Sequence, residues 1–197
     1  GVKYGKLDGF FRMRLFAAAM LYKSNDLRFA YNKQHTLTVQ SENGTTDMLY
    51  DHIYFGRYET EGLWSKQIFG DMDGFRTLTP SMQSWQNGQT VNGLVTITGT
   101  LDFPMKYVPI KLFYGLGYYV DNQLQFTHPR GLLGEMGASI AILDDVLQIN
   151  FPFLYSQAFK DDFVSNNYKF KNQISFSMNL AKLHIFNIVR DKKPTSF

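Results

Sequence analysis

The chain has 197 residues, a net charge of +3, 44% hydrophobic residues and no cysteine. That length suffices for one sizeable domain, the scattered Lys and Arg residues leave no electrostatic footprint for nucleic acid, and the missing thiols exclude a disulfide framework, a thiolate metal site and a cysteine nucleophile. No apolar run reaches the about 18 residues of a transmembrane helix, whereas a barrel strand needs only about 9 to 11 alternating ones.

In chain order, "GVKYGKLDGF" carries no charged segment followed by an apolar core, so any export signal is expected to have been removed or to belong to a longer precursor. "GFFRMRLFAAAMLY" (Gly9 to Tyr22) sets Phe11, Met13 and Leu15 on one parity and Arg12 and Arg14 on the other, which reads as a strand. Its Ala-rich second half also suits a helix. "HTLTVQS" is a second strand candidate, followed by Asn43-Gly44 as a tight reversal, and "YDHIYFGRYE" resembles a strand rim. From Gly62 to Asn92 the alternation dissolves among five glycine and proline interruptions, so this excursion is either functional or contains strands that cannot be phased.

Downstream the pattern is clearer. "GLVTITGTLDF" opposes Val95, Ile97, Leu101 and Phe103 to Thr96, Thr98, Thr100 and Asp102. "IKLFYGLGYYV" is a denser strand whose Gly115 and Gly117 share the Lys111 face, where they allow a bend or a close neighbour. "LLGEMGASIAILDDVLQINFPFLY" reads as two strands reversing at Asp144-Asp145, and "SQAFKDDFVSNNYK" as a polar loop. "KFKNQISFSMNL" then puts Phe170, Ile174, Phe176, Met178 and Leu180 on one parity and Lys169, Lys171, Gln173 and the serines on the other. Short reversals alternate with longer polar excursions, as in a barrel with short turns at one end and long loops at the other. Roughly eight or nine strands fit the usual spacing of an all-β chain.

The ordering "GLVTITGTLDFPMKYVPIKLFYGLGYYVD" resembles the closing barrel strands of the outer-membrane insertase and translocase (surface antigen) superfamily, and "LQINFPFLYSQAFKDDF" with "FKNQISFSMNL" resembles that family's last two strands. "YFGRYETEGLWSKQ", "INFPFLYSQAFKDDF" and "KNQISFSMNL" are closer still to the region that follows the catalytic domain in Bacteroidetes-type gluzincin zinc aminopeptidases. The likeness spans about Gly9 to Leu180 and implies a membrane barrel. Its peptidase chemistry does not carry over: His35, His52, His128 and His184 include no H-E-x-x-H pair.

Other chemistry is weakly signalled. Asp161 and Asp162 read as solvated loop charge, "GDMDG" lacks the later ligands of a calcium loop, and Ser65 and Ser84 stand near no recognisable base. His52 reads as a satisfied structural histidine. No catalytic residue, cofactor or metal is therefore assigned. The informative set is polar parity: Arg12, Arg14, Lys111, Glu135, Gln148, Asn150, Lys171 and Gln173. Lys or Arg on a lipid face costs about 2 to 4 kcal/mol at mid-depth, which in a membrane barrel turns them toward the lumen, with Arg12 or Arg14 opposite Glu135 as a candidate pair.

The expected fold is thus all-β, an antiparallel transmembrane-type barrel of about eight strands or the C-terminal half of a larger one. It spans 1–181 with an excursion at 62–92, followed by a C-terminal tail at 182–197. Leu147, Ile149, Phe151, Phe170, Ile174, Phe176 and Met178 are expected to face lipid. The expected role is anchoring or passage in a bacterial outer membrane, with the bilayer, further strands or a periplasmic domain of the same precursor as partners. The alternatives are a soluble barrel or sandwich holding an apolar ligand, in which the apolar parity points inward, and a non-catalytic accessory domain of a secreted peptidase.

Overall fold

The structure, a computed structural model, describes residues 2–4, 9–19, 37–38, 62–68, 75–78, 89–90, 92–102, 109–120, 130–142 and 146–179. Its main body is one antiparallel sheet built from β1 (Val2–Tyr4), β2 (Gly9–Ala19), β5 (Gly93–Asp102), β6 (Ile110–Val120), β7 (Arg130–Ile142), β8 (Leu147–Tyr155) and β9 (Ser175–Met178), in that spatial order. The sheet curls into a half-barrel that does not close. Between β2 and β5 in sequence, β3 (Leu37–Thr38) and β4 (Gln89–Thr90) form a separate antiparallel pair. The candidate strand rim at 50–59, the reversal at Asn43-Gly44, the pair Asp144-Asp145, "GDMDG" and the tail at 182–197 lie outside the described residues, as do all four histidines.

Alternation is the local cause of these strands, and unbroken register carries it across the sheet. Phe11 to Ala19 pair one for one with Leu101 to Gly93, and Gly93 to Asp102 with Val120 to Lys111. The Ala-rich half of β2 is therefore strand: Ala17, Ala18 and Ala19 lie opposite Val95, Leu94 and Gly93, and cross-strand pairing outweighs an intrinsic helix preference of a few tenths of a kcal/mol. One bulge between Met136 and Gly137 shifts the β7–β8 register, next to Pro152, whose missing N–H suits that break.

Two expectations fail between β8 and β9. Residues Gln157–Ser165, read as a polar loop, form helix α1, and Phe170–Gln173, read as the start of a strand, form a single helical turn, α2. The strand is confined to Ser175–Met178. Helix α1 escapes the alternation test because its apolar signal is one i,i+4 pair, Phe159 and Phe163, in a polar background. Those two rings, with Phe75, Leu94, Tyr119 and Leu133, make the apolar cluster that closes one end of the sheet's inner face. Phe159 meets Phe75 edge-on at 6.0 Å and stacks on Phe163 at 6.4 Å.

Gly137 is one place where the sheet tolerates no side chain: a Cβ there would lie 2.5 Å from the Phe151 carbonyl oxygen and run into the Phe113 ring. Ordinarily Gly→Ala in extended backbone stabilises by about 0.4–1 kcal/mol. Here overpacking against backbone reverses the sign, and Gly137→Ala is expected to lower unfolding free energy by about 1–3 kcal/mol in urea titrations. A second expectation concerns Tyr168, which stacks on Phe163 at 5.9 Å and whose phenol is pushed up to about 12, first by burial and then by nearby Asp162. The folded state then holds that proton more tightly than the unfolded chain, so this contribution is complete below the ordinary value of 10.0 and is lost as pH rises from there to about 12. Comparison of alkaline unfolding of the parent chain and Tyr168→Phe measures it.

Candidate functional site

The two faces of the sheet differ in chemistry, and the inner one buries polar groups beside Leu94, Phe113, Tyr119 and Leu133. On the inner face Thr96, Thr98, Thr100, Lys111, Glu135, Ser139, Asn150, Ser175 and Ser177 are buried. On the outer face Met13, Leu15, Val95, Ile97, Leu116, Leu132, Met136 and Ile140 are exposed, Leu15 at 66% and Leu132 at 67%, while Ser139 and Asn150 are at 0%.

The inner face is buried because the chain packs a segment of the 62–92 excursion onto it. Gln67 forms a parallel bridge to Phe176 on the free side of β9, and Ile68 N–H donates to the Phe176 carbonyl at 2.7 Å. Phe75 then lays its ring over Gly115, where a Cβ would stand 2.7 Å from the ring, so this glycine is the close-approach position. The next residue, Arg76, enters the polar band.

Glu135 is the anchor of that band. Its Oε1 accepts the Arg76 backbone N–H at 2.7 Å and its Oε2 accepts the Thr77 backbone N–H at 2.8 Å. The Arg76 guanidinium lies over the Phe113 ring at 5.4 Å, and its Nη1 donates to Ser139 Oγ, Gln148 Oε1 and Asn150 Oδ1 at 3.2, 3.3 and 3.2 Å. Ser139 Oγ donates to Asn150 Oδ1 at 2.7 Å, Asn150 Nδ2 to Ser175 Oγ at 3.0 Å, and Ser175 Oγ to the Arg76 carbonyl. The network thereby links three strands and the inserted segment. The Glu135 carboxyl and the Arg76 guanidinium are each held by hydrogen bonds, without which groups so buried cost several kcal/mol.

Among the candidates for the inner face, Lys111 and Glu135 are buried and Gln148 is half-buried within this network. Arg12 and Lys111 meet at Asp102, at 3.8 and 3.5 Å, and Arg14 lies over the Phe16 ring at 5.3 Å. The expected pairing of Glu135 with Arg12 or Arg14 is thus replaced by its bonds to the Arg76 and Thr77 backbone, because β2 is three strands away from β7 across β5 and β6. Lys171 stands exposed on α2, and Phe170 is half-exposed on that turn; neither follows a strand parity. Leu147, Ile149, Phe151, Phe176 and Met178 are partly exposed on β8 and β9, with Leu147 opposite Met178 and Ile149 opposite Phe176, and Ile174 caps α2 just before β9.

Arg76 is the residue that sequence reasoning missed. It lies in unphased sequence, where alternation has nothing to report. Two signals pointed to it indirectly: a carboxylate at Glu135 with no cation on a neighbouring alternate position, and a glycine hole at Gly115 beside it. Asp161 and Asp162 are helical rather than looped, with Asp161 accepting from Gln157 and Asp162 from Asn166. Among the described residues no group of three or more His, Asp or Glu side chains is placed to hold a metal. With both Glu135 oxygens engaged by backbone N–H groups, the band acts as a clasp that holds a loop in the half-barrel.

Comparison with protein-family models, curated proteins and solved structures finds no match to this chain.

The clasp predicts an unequal mutational response. Glu135→Ala orphans two buried backbone N–H groups, at about 1–3 kcal/mol each, so it is expected to cost about 2–6 kcal/mol. Glu135→Gln turns an amide N–H toward a backbone N–H and costs about 1–3 kcal/mol. Both variants are expected to speed limited proteolysis within 62–92, which mass spectrometry of the fragments reads directly.

Proposed function

We propose that this chain is an outer-membrane β-barrel domain, a membrane anchor or passage without catalytic machinery of its own, with its outward parity against lipid and its inward parity around an enclosed polar space. The observation that carries the reading is the two-faced sheet: large apolar side chains exposed in contiguous rows on one face, and Thr, Ser, Asn, Lys and Glu buried on the other beside Leu94, Phe113, Tyr119 and Leu133. Monomeric soluble proteins rarely expose an apolar surface of that extent, whereas a lipid-facing barrel wall requires it.

Strand length and loop placement support the same reading. β5, β6, β7 and β8 have 10, 11, 13 and 9 residues, close to the about 9 to 11 that cross a bilayer when tilted. The connections 20–92, 121–129 and 156–174 leave from one end of the sheet, and the shorter ones at 103–109 and 143–146 from the other. In bacterial barrels the short turns face the periplasm. Among the described residues the sheet ends at β1 and at β9, whose outer side carries the Gln67 bridge, and because open edges in hydrocarbon leave backbone groups unpaired, this reading needs the barrel to close on itself or to join further strands of the same precursor. The likeness of residues 93–121 and 147–180 to insertase, translocase and peptidase-linked barrels belongs to this proposal. A cup for an apolar ligand is less well supported, because Phe75, Phe159 and Phe163 of the chain itself fill the apolar end of the inner face.

The test is depth dependence. Met136 lies at the middle of β7 and Ile142 at its short-turn end, both exposed on the outer face. Met136→Arg is expected to destabilise the vesicle-folded protein by about 2–4 kcal/mol and Ile142→Arg by about 0–1 kcal/mol, read by urea unfolding in phosphatidylcholine vesicles. Equal effects, together with a monodisperse parent chain in plain buffer, would overturn the membrane reading.

A further inference from the structure

Beside β9, at the end of the sheet from which the long connections leave, two short segments meet outside the barrel wall. The Lys66 Nζ donates to the Lys171 backbone carbonyl at 2.7 Å, which seats the 3-10 turn Trp64–Lys66 against α2. Trp64 meets the outward ring of Phe176 edge-on at 6.0 Å, so the turn lies on the apolar side of the sheet. Around this contact Leu63, Trp64 and Phe170 remain exposed at 68%, 40% and 50%.

The described residues of this surface carry three lysines. Lys169 and Lys171 are exposed, Lys66 is half-buried, and residues 62–68 and 166–174 contain no Asp or Glu. Along the chain the nearest acids are Glu61, outside the described residues, and Asp162, which accepts from Asn166 at the end of α1. Aromatic rings beside lysines suit the depth at which hydrocarbon gives way to headgroups: the rings and the lysine stems stay in the apolar layer while ammonium groups reach phosphate oxygens. The geometry points to a docking site for the phosphate of an anionic lipid headgroup, formed by Lys66, Lys169 and Lys171 with Trp64 and Phe170 as its apolar floor. This inference rests on the membrane reading above and adds to it a preferred lipid at one place on the wall.

Trp64 itself reports on the site. The second tryptophan, Trp85, is replaced by Phe, and the full chain is folded into vesicles containing equal mole fractions of brominated phosphatidylglycerol or brominated phosphatidylcholine. Quenching of Trp64 is expected from both lipids, with the excess from phosphatidylglycerol corresponding to roughly fivefold in local preference per lysine at low salt. Lys66→Gln/Lys169→Gln/Lys171→Gln is expected to abolish the excess while quenching by phosphatidylcholine persists. Equal quenching by the two lipids in the parent chain would overturn the docking site and leave the membrane reading standing. Loss of the excess on adding inorganic phosphate at constant ionic strength would assign the lysines to small anions and also overturn it. Absence of quenching by either lipid would remove the membrane reading and this inference together.

Discussion

An antiparallel strand that slips by one residue turns all its side chains to the opposite face of the sheet, and in this molecule that slip would drive Arg12, Lys111 and Glu135 outward and Met13, Leu112 and Met136 inward. The continuous register from β2 through β7 prevents it. Ten residues of β5 pair without interruption with β6, and eleven of β6 with β7, so the two chemistries stay sorted over the whole curved surface. Everything else about the molecule is laid on that sorting.

A polar inner face has to be satisfied once it is covered, and the chain does this with its own backbone as much as with side chains. Glu135 takes two consecutive N–H groups from the inserted segment, and Ser175 on the far strand donates to the Arg76 carbonyl. The segment is thereby tied into the hydrogen bonding of the sheet without becoming a strand. At the other end of the same face the requirement is volume, and rings from α1 and the inserted Phe75 supply it. The inner surface is therefore graded along its length, bonded polar groups at one end and packed aromatics at the other.

The outward face carries a complementary gradation. Aliphatic side chains dominate its middle, and toward the long-connection end Trp64 and Phe170 stand beside lysines. A bilayer has this profile, apolar at the centre and charged at its margins, and the proposed roles of wall and headgroup contact share it as their physical basis. The clasp and the wall also depend on one another. A loop held inside by Glu135 fills space that the half-barrel leaves open, and the curvature of the wall places Gly115 and Glu135 where that loop reaches them.

How much was legible in the sequence depended on whether a residue's role is local. Period-two alternation located β5 and β6 to within a residue and separated Val95, Ile97 and Leu116 from Thr96, Thr98 and Lys111, because a pleat imposes that pattern on each strand alone. It misread Gln157–Ser165 and Phe170–Gln173, whose helical turns are held by contacts to Phe75, Tyr155 and the Lys66 turn rather than by their own periodicity. It was silent on Arg76, since a loop residue bonded across 59 to 99 positions leaves no local trace. The sequence by itself determined that the strands are two-faced and which side chains share each face. Only the tertiary structure decided which loop covers the polar side and which carboxylate holds it, because those contacts join segments whose separation along the chain carries no repeating signal.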